Sequence, residues 1–292
     1  VQFTSLTAAA DNGSQVWYAQ AIEGQNMIDF AWGTGSAVAA TLSFWVRSSI
    51  PGTFGGSVQD SNAAYSYCFS YQINTINTWE YKTFVIPGPT FGTFFNDTRA
   101  GTYVRFEFNG QGYNSGIGIP NAWSTGNNTG PVGATKFVRT SGATMNITGV
   151  QFERGNVATS FDVRPIGTEL ALCQRYFIAY GAPTANQYVH LGIGAMYTGT
   201  ATNITVALPV SMRATPTISK IVSSSLGNVW LHIYVGSTGF YSNSTPQMGE
   251  TLSVGSNALR LYCPDSYSGG TAGQAAWCAI PNGAQLQLSA EL

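Results

Sequence analysis

Apolar residues in this chain come in short runs that alternate with polar ones, and a period of two leaves little besides β-structure. In ATLSFWVR, Leu42, Phe44 and Val46 share one parity, while Thr41, Ser43, Trp45 and Arg47 share the other. YVRFEF puts Val104, Phe106 and Phe108 on one face and Tyr103, Arg105 and Glu107 on the opposite one. Between Thr144 and Phe152 the parity switches, from Met145 and Ile147 to Val150 and Phe152, with Gly149 between them. An extra residue at a glycine, a β-bulge, resets the facing in that way. Further on, NITVALPV turns Ile204, Val206, Leu208 and Val210 inward. VWLHIYV turns Val229, Leu231, Ile233 and Val235 inward and leaves Trp230, His232 and Tyr234 on the other side. Both faces of that strand are heavy, so both are expected to be covered. ALRLYC and QLQLSAEL carry the pattern to the C-terminus.

Gly, Pro and Asn punctuate these runs as they do in an antiparallel jelly roll. The alternation breaks once. Gly155 to Gly167 contains Pro165, which cannot donate to a sheet ladder, so this stretch reads as an exit from the sheet. Thr168 to Tyr176 then reads as a short helix, with Thr168 as N-cap and Glu169, Leu170, Ala171 and Leu172 favouring helix. The expectation is an all-β chain of two antiparallel, jelly-roll-like β-sandwich domains, residues 1–163 and 178–292, joined by a helical neck at 164–177. A chain of 292 residues is long enough for two cores.

Composition removes several functions. Charged residues are 9 % of the chain, against about a quarter in an ordinary soluble domain. Ser, Thr, Asn and Gly fill the surface instead. The net charge is −1 and Lys and Arg form no cluster, so no nucleic-acid partner is expected. No apolar run approaches the ~18 residues of a membrane span, so insertion into a bilayer is not expected either. The chain carries no signal peptide and begins with Val1, so an upstream attachment segment is expected. Cys68, Cys173, Cys263 and Cys278 form no CxxC, and the histidines are His190 and His232, which excludes the usual zinc patterns. The strand context of Cys263 and Cys278 leaves a bridge between them open.

Catalytic signals are weak. Asp60, Glu80, Asp97 and Glu107 are the carboxylates of the middle of the first domain, with no catalytic run among them, and Glu107 beside Arg105 reads as a surface ion pair. No GxSxG, phosphate loop or dinucleotide motif occurs, so no enzyme is expected. The stretch Gly110 to Thr135 reads as a long loop, and loops of that length are usually functional or mobile. It carries Tyr113 and Trp123 among Asn114, Asn121 and Asn127. Two readings stand open: Trp123 folds back as a lid on the core, or it joins Tyr113 in stacking on a sugar ring while the asparagines bind hydroxyls. Arg164, Glu169 and Arg175, charges in a chain with few, cluster at the neck and are expected to fix it through inter-domain or inter-subunit ion pairs.

GVQFERGNVATSF, followed by RP and ELALCQRYF, resembles the junction in bacteriophage tail-fibre and minor structural proteins, in which a carbohydrate-binding-module-like jelly roll passes into a C-terminal fibre domain. IEGQNMIDFAWGT, LSFWVRSSIPGTF and ALPVSMRATPTIS fit the same family, so the resemblance runs from about Ile22 to Ser219. It implies a non-catalytic part of a tail fibre or spike at the virion surface, assembled in the bacterial cytoplasm and binding host-surface glycans. Capsid decoration or a head fibre is the alternative, and a polysaccharide depolymerase the third reading. It further implies a homotrimer, and contact with other virion proteins through the upstream segment. Reduced, buried thiols are the default in that setting. No cofactor is implied beyond a structural calcium, for which Glu23 and Asp162, at the two ends of the first domain, are the candidate ligands. The sequence offers no ligand run such as DxDxDG, and an empty site is the expectation.

Overall fold

The computed structural model describes residues 1–8, 16–109, 117–181, 188–221, 231–235, 238–241, 258–263, 270–281 and 283–291. The chain is all-β and divides into two compact units, Val1–Val163 and Arg164–Glu291. In the first unit the strands are β1 (Gln2–Thr4), β2 (Trp17–Glu23), β3 (Ala40–Ser48), β4 (Gly52–Asp60), β5 (Tyr65–Ile73), β6 (Glu80–Ile86), β7 (Ala100–Glu107), β8 (Ile117–Gly118), β9 (Ala122–Thr125), β10 (Gly130–Pro131) and β11 (Thr144–Arg154). They form a four-stranded sheet, β1-β11-β3-β6, and a five-stranded sheet, β2-β7-β4-β5-β9, both antiparallel. The short β8 and β10 pair in parallel.

The alternation gives the inner faces correctly. Leu42, Phe44 and Val46 of β3 are fully buried, and Val104 and Phe106 of β7, with Phe108 just beyond it, are nearly so. Phe44 from the first sheet meets Phe106 edge-on from the second, with ring centroids 5.0 Å apart. Phe69 of β5 meets Phe84 of β6 at 5.1 Å. Edge and tilted contacts of this kind exceed area burial by about 0.5–1.5 kcal/mol each. Gly56 of β4 is what admits the Phe69 ring, since a Cβ there would come within 2.6 Å of it. The bulge expected in β11 is present: its register with β3 shifts between Thr148 and Gln151, and Gly149 takes a φ of 58°.

Outer faces depart from the alternation. Thr41 and Ser43, on the polar parity of β3, are also buried. The chain leaving β11 turns back over them, and the Thr41 hydroxyl donates to the Gly155 carbonyl at 2.9 Å. The stretch Gly110 to Thr135, expected as an unstructured loop, instead contributes β8, β9 and β10, and β9 extends the second sheet by pairing with β5.

In the second unit the helix α1 (Ile166–Gln174) precedes β12 (Phe177–Gly181), β13 (Val189–Met196), β14 (Thr202–Ala207), β15 (Thr217–Ile221), β16 (His232–Val235), β17 (Thr238–Tyr241), β18 (Ala258–Cys263), β19 (Ala275–Ile280) and β20 (Gln285–Ser289). One sheet runs β12-β20-β15 and the other β17-β16-β19-β13-β14-β18. Ile204, Val206, Leu208, Leu231, Ile233 and Val235 enter a core with Leu259, Leu261, Leu286 and Leu288. Val229 and Trp230 lie outside the described residues. The helix begins two residues before the expected Thr168, with Pro165 at its N-cap and no side-chain cap. The fixed φ of a proline suits that position. A Cys263–Cys278 bridge is excluded by the strand order: β13 and β14 stand between β18 and β19, and three interstrand steps of about 4.8 Å far exceed the Cα reach of a disulfide.

Candidate functional site

The return of the chain after β11 creates a cleft on the outer face of the four-stranded sheet. Trp45 of β3 and Tyr81 of β6 are directly paired across the strands, their ring centroids 5.2 Å apart. Both rings point away from the core and are close to half exposed, at 45 % and 44 %. On the other side runs the segment bearing Thr159, Ser160 and Phe161, with Ser43 at the floor, and the cleft between measures about 430 Å³. Gly149 lies against the Trp45 ring, and its φ of 58° at the bulge is what calls for a glycine.

Side chains of β11 strap that segment down. The Glu153 carboxylate accepts from the Thr159 backbone N–H at 2.9 Å and from its hydroxyl at 2.7 Å. Gln151 donates to the Thr159 hydroxyl oxygen at 3.0 Å and accepts from the Asp162 N–H at 2.9 Å. Partial burial of Glu153 would raise its pKa, but the hydrogen bonds from the Thr159 backbone, Gln151 and the Thr159 hydroxyl outweigh it and hold the carboxyl below its usual range. At the start of β6, next to Tyr81, Glu80 closes the preceding turn by accepting from the Asn74 and Thr75 N–H groups and from Lys82. Its pKa falls to about 2, because the contacts from Lys82, Thr75 and Asn74 outweigh a larger opposing effect of burial. Asp97, chelated by Arg99, is lowered as well.

The residues singled out in the sequence do not come together as one platform. Tyr113 and Asn114 lie outside the described residues. Trp123, on β9, turns its indole over the end of the core: Nε1 donates to the Pro87 carbonyl at 2.8 Å, and the ring meets Trp32, Tyr67, Phe91 and Phe94 edge-on. That is the lid arrangement. Asn121 is exposed in a left-handed turn, and its N–H reaches the Cys68 carbonyl at 2.6 Å. Asn127 faces the second sheet, where its Oδ1 accepts from Gln59 and from Arg105, each at 3.0 Å. The expected Arg105–Glu107 ion pair is not formed, because Glu107 is buried and accepts the Asn109 N–H at 2.7 Å. Burial also pushes the Cys68 thiol up to about 12, against a smaller opposing contact from Gly118, which makes it an inert core group.

At the neck, Arg164 and Glu169 pair with each other at 3.2 Å. Arg175 caps the helix, and its carbonyl accepts the Arg213 N–H at 2.9 Å. Arg213, which sequence reasoning missed, also donates from Nε to the Ala290 carbonyl and from Nη2 to the Glu291 carbonyl at 2.9 Å. It thus ties the helix end to the C-terminal strand. Of the proposed calcium ligands, Glu23 is buried at the end of β2, whereas Asp162 is exposed on the strapped segment. Among the described residues no three His, Cys, Asp or Glu side chains cluster as a metal site, and no helix is long and apolar enough to cross a membrane.

Fold and cleft together define a β-sandwich that presents a paired aromatic surface beside hydroxyl groups. No protein-family model matches the chain, and no curated protein matches it in sequence.

Proposed function

We propose that the chain is a non-catalytic part of a phage tail fibre or spike that holds host-surface glycans in the Trp45–Tyr81 cleft, and that it works as a homotrimer at the virion surface. The cross-strand aromatic pair carries this reading. Sugar rings have an apolar face of C–H groups and a rim of hydroxyls, so a site for them needs a flat ring next to neutral donors and acceptors. Trp45 and Tyr81 supply the first; Ser43, Thr159 and Ser160 supply the second. No carboxylate lines the cleft, which suits binding. Stacking contributes about 1 kcal/mol beyond area burial, so a single site is weak and a multivalent assembly is needed for useful avidity.

The test is adsorption of purified protein to host cells, wild type against a Trp45→Ala, Tyr81→Ala double variant of equal thermal stability. Adsorption is expected to fall by about tenfold or more, a loss that avidity amplifies from a modest change per site. Equal adsorption removes the cleft from the binding site. A wild type that does not adsorb at all favours capsid decoration instead.

A further inference from the structure

A second, chemically different site is built on the outer face of the five-stranded sheet. Arg105 of β7 lies there with its guanidinium 4.9 Å from the Trp17 ring centroid and 5.5 Å from that of Tyr103. Trp17 is 44 % exposed. Across the β2 ladder from Arg105 and Tyr103 stand Ala19 and Ala21, so the floor beside the guanidinium is shallow. Arg105 uses one N–H, from Nη1 to Asn127, and meets no carboxylate among the described residues. In a chain with 9 % charged residues, a half-buried cation without a counter-ion is an outlier. Desolvation lowers its pKa, and a partly buried charge of this kind is stabilised most by a bound anion.

The layer beneath it narrows the ligand. Ser57 pairs with Arg105 across the β4–β7 ladder, and Gln59 is two residues along. Both are fully buried, and the Ser57 Oγ, the Gln59 Oε1 and the Arg105 Nε have no hydrogen-bond partner. Gln59 donates from Nε2 to Ser66, Asn127 and Asn128, which fixes its amide so that the oxygen is the atom left over. The unmet set is therefore a donor, an acceptor and a hydroxyl, none with accessible surface of its own. The exposed Asn127 side chain stands over them, its Oδ1 3.0 Å from both Arg105 and Gln59, so a ligand reaches this layer by displacing it. A carboxylate oxygen then takes over the two donors that Asn127 now satisfies, and a neighbouring hydroxyl answers the Gln59 oxygen. We infer that this face binds an acidic sugar residue, its carboxylate on Arg105 and its ring on Trp17. The inference rests on the glycan-binding reading for its choice of ligand but uses none of the residues of the cleft.

The probes are three acidic oligosaccharides, of galacturonate, of glucuronate-containing hyaluronan and of polysialate, each with its carboxyl-reduced neutral counterpart, titrated into the full chain by calorimetry. At least one acidic probe is expected to bind, more weakly as salt rises, and at least about tenfold more tightly than its neutral counterpart, equivalent to about 1.4 kcal/mol. Arg105→Met should abolish that difference. Should Arg105→Met not fold, the Trp17 indole N–H resonance of the wild type, assigned through Trp17→Phe, is to shift on adding the same probe. No binding by any acidic probe at about 10 mM, where weak single sites are detectable, overturns the proposal. So does equal affinity for the reduced form, or an unmoved Trp17 resonance. The Trp45→Ala, Tyr81→Ala variant should keep the acidic binding, so loss of the cleft and loss of this site are told apart.

Discussion

At the residue scale, Glu153 decides whether the cleft has a second wall. Its carboxylate is the main tether of Thr159, through one backbone and one side-chain hydrogen bond. Because its folded pKa lies below the unfolded value, about 4.3 for glutamate, the tether is fully present above that pH. It is lost as pH falls through the lowered folded value. Hydrogen exchange of the segment 155–162 should therefore accelerate on acidification with a midpoint below about 4.3, while β3 and β7 stay protected. In Glu153→Gln the acceleration should already be present at neutral pH and vary little with acid. A segment equally protected in both proteins at all pH values would show that the strap does not depend on this carboxylate.

At the element scale, the alternation was enough to place the inner faces of β3, β7, β14 and β16, because burial of one face of a sheet imposes period two directly. The bulge at Gly149 was legible for the same reason: Met145 and Ile147 cannot share a face with Val150 and Phe152 in an unbroken strand. What the sequence hid was cover on outer faces. Ser43 reads as solvent-facing and is buried by a segment more than a hundred residues later, and Trp123 reads as a loop residue until β9 pairs with β5. Such contacts depend on long-range topology, which local pattern does not encode. The neck shows the same limit. Arg164, Glu169 and Arg175 were visible as a charge cluster, but the residue that joins helix to sheet is Arg213, nearly forty positions on. Arg213→Ala removes charged hydrogen bonds to Ala290 and Glu291, each worth about 1.5–3 kcal/mol. The second unit should lose about 3 kcal/mol, the low end of the sum, read as a lower denaturant midpoint for that unit, with the first unit unchanged. Arg213→Lys should recover only part, because a lysine cannot serve two carbonyls in a fixed fork.

At the scale of the whole molecule, the question is what meets the outer face of the six-stranded sheet. Trp277 of β19 stacks flat on Tyr234 of β16 at 3.8 Å, and the His190 ring lies 4.7 Å from Trp277. His232, on the same side, is buried under Tyr188, whose ring is 5.2 Å away, so part of the second cover expected for this strand comes from the chain itself. Burial lowers the His232 pKa and so favours its neutral imidazole. Ile193, paired with Trp277 across the β13–β19 ladder, is by contrast 76 % exposed, and Tyr188 and Tyr197 are also exposed. Exposed apolar side chains such as Ile193, on the face of a stacked aromatic pair, are what an oligomer interface leaves bare on one chain. In the proposed homotrimer, closed rotational symmetry would repeat the same patch on each copy. Light scattering of the full chain at micromolar concentration should report about three chains per particle, the number set by the proposed homotrimer. Ile193→Lys should shift the particle toward single chains, because a charge in a desolvated interface costs several kcal/mol, while leaving the circular dichroism of the strands intact. A wild-type protein that runs as one chain, or an Ile193→Lys variant that assembles as the wild type does, would take this face out of the assembly.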